Sequence, residues 1–147
     1  MGGVARRVPL VLLSSVSSDS HTWNLVFLQL LLEEAGHQVV NLGACVPDGL
    51  LIAEVGQRRP DAVVISTVNG HGRVDGARLV TALRSHPFAA DLPVVIGGKL
   101  GVSGPDPATA EHLLRAGFTA VFQDDAGPEH LIGTLRAALE PAPVGAR

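Results

Sequence analysis

Cysteine occurs once in the 147 residues, at Cys45, and tyrosine not at all. A single thiol excludes an internal disulfide and any zinc or iron–sulfur site built from several cysteines. Aromatic residues make up 3% of the chain and charged residues 17%, with 11 Lys and Arg scattered among 14 acids for a net charge of −3. That balance lacks the basic stripe with stacking aromatics that marks a nucleic-acid binder, so no nucleic-acid partner is expected. No run approaches the roughly 20 apolar residues of a membrane span, and no membrane association is expected either. The opening MGGVARRVPLVLLSSV sets two Arg before an apolar run, as a secretory leader does. The run is short and merges with a strand, so the chain is read as cytoplasmic.

What is abundant is aliphatic: apolar residues reach 46% with almost no aromatics. A core of Leu, Val, Ile and Ala suits a parallel sheet buried between helices, whose central strands read as apolar runs. The length fits one domain, 1–147, with its core at about 8–139, and no repeat, linker or second domain is visible. Strands are expected at Val8–Val16, Gln38–Leu42, Ala62–Ser66, Pro93–Ile96 and Ala120–Phe122, each bounded by Gly, Pro, Asp or polar residues. Helices are expected at about Trp23–Glu34, Asp48–Arg58, Asp75–Ser85, Pro107–Ala116 and Pro128–Leu139. Gly36 stops the first, Pro47-Asp48 opens the second and Gly117 closes the fourth. In the last, Leu131, Leu135 and Ala138 share a face, as do Ile132 and Leu139. The first, with LVFLQLLL, is apolar nearly all round and is expected to be covered on both sides, deep in the domain or at a partner surface. The ends Met1–Arg6 and Pro141–Arg147 are expected to fray. This alternation is the pattern of repeated βαβ units, and it implies a flavodoxin-like, Rossmann-like three-layer α/β sandwich: a five-stranded parallel sheet of order 2-1-3-4-5 with helices on both faces.

In such sheets ligands bind beyond the carboxyl ends of the strands. After the first strand comes Ser17-Ser18-Asp19-Ser20-His21-Thr22. A carboxylate that accepts the N–H of one ring nitrogen fixes the tautomer of a His and leaves the other nitrogen free for a metal. After the third strand comes Ser66-Thr67-Val68-Asn69-Gly70-His71-Gly72, and after the fourth Gly97-Gly98-Lys99-Leu100-Gly101. Adjacent glycines let the backbone approach a large ligand closely.

Taken in order, Asp19-x-His21, Ser66-x-Val68 and Gly97-Gly98 resemble the D-x-H-x-x-G, S-x-L and G-G motifs of the cobalamin-binding domain of base-off, His-on corrinoid enzymes. Within that family the chain resembles, in length and local wording, the small (sigma) subunit of glutamate mutase, or methylaspartate mutase, from about Pro9 to Leu139. The stretches AGHQVVNLG (35–43) and NGHGRVDG (69–76) add to the likeness. The resemblance implies that His21 replaces the dimethylbenzimidazole of adenosylcobalamin on cobalt, with Asp19 bonded to the far side of the imidazole and Ser18, Ser20 and Thr22 flanking them. The displaced nucleotide tail would run between the sheet and the first helix. There Ser66 would contact the benzimidazole, Thr67 and Val68 would line the slot, and Gly97, Gly98, Lys99, Leu100 and Gly101 would accommodate the tail. Three positions depart from the pattern: Asn24 stands at the final Gly of the first motif, Val68 takes the place of Leu in a mild apolar exchange, and Asn69 stands where a Tyr is expected.

The implied function is that of a cofactor-carrying isomerase subunit. Homolysis of the cobalt–carbon bond starts a radical rearrangement of glutamate to 3-methylaspartate, a separate large barrel-type subunit holds the amino acid, and this chain contributes no catalytic residue. A methyl-carrying corrinoid protein would use the same ligand but usually has a helical cap domain ahead of it. A receiver-like module without corrinoid would need an acidic cluster at the ends of strands one and three, where Ser66 stands instead. Plainer readings remain for single residues: Asp19 as a helix cap, His21 and His71 as loop residues, His37 and His86 as structural or solvated, Gly97-Gly98 as a tight turn, and Cys45 as inert.

Overall fold

The computed structural model describes residues 8–124 and 126–139. The apolar runs form β1 (Leu10–Ser14), β2 (Gln38–Asn41), β3 (Ala62–Thr67), β4 (Val94–Gly98) and β5 (Ala120–Gln123). All pair in parallel in the expected order β2-β1-β3-β4-β5. Between them run α1 (Trp23–Glu34), α2 (Asp48–Arg58), α3 (Gly72–Arg84), α4 (Pro107–Ala116) and α5 (Pro128–Leu139), with a 3-10 turn at Pro87–Ala89. This is the flavodoxin-like three-layer sandwich. The segments Met1–Arg6 and Pro141–Arg147, expected to fray, lie outside the described residues.

Because side chains alternate along a strand, the sheet feeds two cores. Leu12, Val63, Ile65, Val94 and Ile96 pack with Leu51 and Val55 of α2, Leu79, Val80 and Leu83 of α3 and Leu113 of α4. Val11, Leu13, Ala62, Val64 and Val95 pack on the other side with Leu25, Leu28 and Leu32 of α1 and Leu131 and Leu135 of α5. Every residue of β3 is buried, as expected of the central strand of a doubly covered sheet. Each aliphatic side chain buried in this way contributes roughly 1.5–3 kcal/mol.

The helix ends follow local chemistry. Asp106 caps α4 by accepting from the Ala108 amide at 3.0 Å, Pro107 fills the first turn, and Gly117 ends the helix at φ 136°. Three expectations change. α3 starts at Gly72 instead of Asp75: the His71 carbonyl accepts from the Val74 and Asp75 amides at 3.2 and 2.9 Å, and Gly72 packs where an added Cβ would lie 2.7 Å from Thr67 Cγ2 and 2.8 Å from Leu100 Cδ2. Ala138 of α5 is exposed, so its inner face rests on Leu131 and Leu135. α1 is covered on one side only: Trp23 is 83% exposed, and Phe27 and Leu30 are also open to solvent. Among the described residues no helix is long and apolar enough to cross a membrane.

Candidate cofactor site

The chain reverses direction of winding between β1 and β3, and the loops that leave their carboxyl ends converge there. Asp19 is the hub. Its amide donates to Val16 O at 3.1 Å, its carbonyl accepts from the Cys45 amide at 2.8 Å, and its side chain is fully buried. Oδ1 accepts from the His21 amide at 3.0 Å and from His21 Nδ1 at 2.6 Å. Oδ2 accepts from the Thr67 hydroxyl at 2.6 Å and the Val68 amide at 2.8 Å. Burial pushes the carboxyl pKa up, but the donors from Thr67, His21 and Val68 outweigh it and hold the value down at about 2. Asp19 is therefore an anchored carboxylate and not a helix cap: Thr22 occupies the N-cap of α1, and no side chain bonds there.

An ionised partner at Nδ1 assigns the proton of a neutral His21 to that nitrogen and leaves the Nε2 lone pair free. The His21 side chain is 58% exposed, and among the described residues Nε2 has no hydrogen bond. An imidazole held from behind by a carboxylate and open in front is an arrangement that could hold a metal ion.

Next to it lies a cavity of about 200 Å³ between α1 and the edge of the sheet. Ser66, Gly97 and Phe122 are register neighbours across β3, β4 and β5 and form its floor. Asn24, Phe27 and Leu28 of α1 form one wall, and Pro128 and Leu131 of α5 the other. Asn24 Nδ2 donates to Ser66 Oγ at 2.8 Å, while Asn24 Oδ1 is buried without a partner. The volume is below the roughly 300–1,000 Å³ of pockets that enclose whole ligands, so the space suits part of a molecule.

The residues singled out in the sequence divide into groups. Asp19, His21, Thr67 and Val68 form one hydrogen-bonded unit, although Thr67 serves Asp19 and does not line the cavity. Ser66, Val68, Gly97 and Gly98 do line it. Ser20 and Thr22 are exposed beside His21. Lys99 is exposed, Leu100 is buried in the core under α2, α3 and α4, and Gly101 faces open space, so these three are not brought to the cavity. Ser18 turns away too: its hydroxyl donates to Asp75 Oδ2 at 2.5 Å and accepts from Asn69 Nδ2 at 3.0 Å.

That contact leads to a network that sequence reasoning missed. Arg78 donates to Asp48 and Asp75 at 2.8 Å each and to Ser17 Oγ at 3.2 Å, tying α2 and α3 to the loop that carries His21. Both carboxylates raise the guanidinium pKa. Burial pushes Asp75 up, but the Ser18 and Arg78 hydrogen bonds and the Arg78 charge bring it below the usual carboxylate range. No local spacing announces pairs so far apart in sequence. The side residues behave plainly: His37 is buried with Nδ1 3.1 Å from Leu32 O, His86 stacks on Phe88, and Cys45 is an exposed free thiol. Among the described residues no three His, Cys, Asp or Glu side chains form a group that could hold a metal ion.

The sequence profile of the B12 binding domain matches residues 9–129. The glutamate mutase sigma subunit of Halobacterium salinarum is 31% identical over 133 residues, spanning 90% of this chain and 88% of that protein. Among solved structures, a cobalamin-binding protein from Desulfitobacterium hafniense superposes with a TM-score of 0.76 at 21% identity, over 91% of this chain and 60% of that one. A chemotaxis response regulator of Vibrio cholerae reaches 0.69 at 20% identity, over 90% and 100%. At these identities the two structures speak for the fold alone.

Proposed function

Because the chain belongs to the B12-binding domain family and aligns along nearly its whole length with glutamate mutase sigma subunits, we propose that it is the cobalamin-carrying small subunit of an adenosylcobalamin-dependent carbon-skeleton mutase. It would interconvert glutamate and 3-methylaspartate together with a separate barrel-type large subunit. The observation that carries this reading is the Asp19–His21 pair: a buried, ionised carboxylate with four donors, 2.6 Å from the Nδ1 of an imidazole whose other nitrogen is free.

His21 would hold cobalt through Nε2. When bound, the corrinoid supplies the radical chemistry. This chain's own residues ligate, orient and exclude water. Asp19 keeps the proton on Nδ1 and the ring in one orientation, and Thr67 and Val68 keep Asp19 in place. The tail of the cofactor would enter between α1 and the β3–β4 edge, against Ser66 and Gly97. No residue here is assigned to the amino acid, which belongs to the partner.

The test is the electron paramagnetic resonance spectrum of cob(II)alamin in excess protein with a candidate large subunit present. With nitrogen-15 histidine the axial superhyperfine triplet should collapse to a doublet, and His21→Ala should abolish the effect. A spectrum identical to that of free cofactor and indifferent to the label overturns the assignment.

A further inference from the structure

The slot beside His21 holds a side chain that the proposed role leaves unexplained. Asn24, in the first turn of α1, reaches across to β3 and donates from Nδ2 to Ser66 Oγ at 2.8 Å, yet its Oδ1 is buried and has no hydrogen-bond partner. Native structures rarely leave a buried carbonyl unpaired, and where one persists a missing ligand group is a standard cause. The amide also keeps a second N–H, because Nδ2 carries two protons and Ser66 takes one. Around it the cavity is mainly apolar, walled by Phe27, Leu28, Phe122 and Leu131, and at about 200 Å³ it takes a compact, flat group.

A planar amide with one free acceptor and one free donor matches the amino group and ring nitrogen on the edge of an aminopurine, the pairing by which Asn reads adenine. Dimethylbenzimidazole carries two methyl groups on its outer edge, and its free ring nitrogen can accept a hydrogen bond, but the base has no N–H to donate one. Seated there it would leave Asn24 Oδ1 buried without a donor, and a site built to hydrogen-bond discriminates against the analogue that lacks the partner. Resting on the reading above, we propose that Asn24 is the specificity-determining residue for the lower base of the corrinoid, selecting a nucleotide tail that ends in an aminopurine over one that ends in dimethylbenzimidazole. Asn24 does so by pairing with the base while its bond to Ser66 holds the amide in the slot.

The experiment titrates the full chain with three corrinoids in their aquo forms: cobalamin, its adeninyl counterpart, and cobinamide, which has no nucleotide tail. Histidine ligation is read by absorbance, and binding by quenching of Trp23, the single tryptophan of the chain. The wild-type chain should bind the adeninyl form at least about tenfold more tightly than cobalamin, a modest discrimination for a hydrogen-bonding site. Asn24→Gly should bind the two equally, with cobinamide affinity unchanged because that ligand never enters the slot. Asn24→Ala, which favours the helix, should behave as the glycine variant does and guards against a loss of folding. Equal affinities in the wild type, or a preference that survives both substitutions, overturns the role of Asn24 while His21-dependent cobinamide binding still stands. Cobinamide binding that His21→Ala leaves unaltered overturns the corrinoid reading itself, and the inference with it.

Discussion

Gly98, the last residue of β4, and Gly101, in the loop that follows, look interchangeable in the sequence, but they answer to different constraints. Gly98 has φ +122°, and a Cβ built on it would overlap the Thr67 carbonyl oxygen and lie 3.0 Å from Thr67 C. Both obstacles are backbone of the neighbouring strand, which cannot step aside. Thr67 is also the residue whose hydroxyl holds Asp19. Gly98→Ala is therefore expected to destabilise the protein by about 3 kcal/mol or more in urea unfolding. Gly101 has nothing within 4 Å, and Gly101→Ala should stay within about 0.5 kcal/mol of wild type. Equal effects of the two substitutions would contradict the packing argument. The sequence marks this doublet as a place of close backbone approach, and for Gly97, on the cavity floor, that reading fits. For Gly98 the approaching group is the protein's own Thr67, a pairing across strands that no local motif encodes.

At the scale of elements, most of the fold was legible because burial on both faces of a parallel sheet leaves apolar runs, and helix ends leave Gly, Pro and Asp signatures. The start of α3 was not: His71-Gly72 reads as loop, whereas the His71 carbonyl takes the first helical amides and Gly72 packs where only a residue without a side chain fits, against Thr67 and Leu100. The candidate site was legible in part. Asp19 and His21 are neighbours in sequence and were found; Asn24–Ser66 and Ser18–Asp75 join distant segments and were not. The network of α3 makes a prediction about acid. Since the Asp75 pKa lies below its ordinary value, its contribution to stability is complete above the unfolded carboxylate pKa near 4 and disappears as pH falls through the lower native value. The partner Arg78 is 48% exposed, so the contribution should be only about 0.5–1 kcal/mol. Asp75→Asn should have a lower urea midpoint than wild type at neutral pH, and the two midpoints should draw together below about pH 4. A gap that does not change with pH would assign the effect to packing instead.

For the whole molecule, the unresolved tension is α1. Its inner residues Leu25, Leu28 and Leu32 belong to the core, yet Trp23, Phe27 and Leu30 repeat at helical spacing along the outside and are exposed. Among the described residues nothing covers them, so α1 does not take the deep position its all-round apolarity suggested, and a partner surface is the reading to test. Trp23 follows His21 closely in sequence, and Phe27 also lines the cavity, so the exposed stripe borders the place where the cofactor would sit. On the proposed function, a large subunit that closed over a corrinoid held by His21 would land beside it, and aromatic anchors are what such interfaces concentrate. Leu30→Glu should therefore leave the stability of the isolated chain within about 0.5 kcal/mol, because the side chain is already in water. It should weaken association with a glutamate mutase large subunit by at least about tenfold, or 1.4 kcal/mol, in sedimentation or calorimetry. Arg115→Glu, on α4 across the sheet, should change neither quantity. If Leu30→Glu binds the partner as the wild type does, the stripe is not the interface, and the subunit must instead approach over the loops that follow β3 and β4.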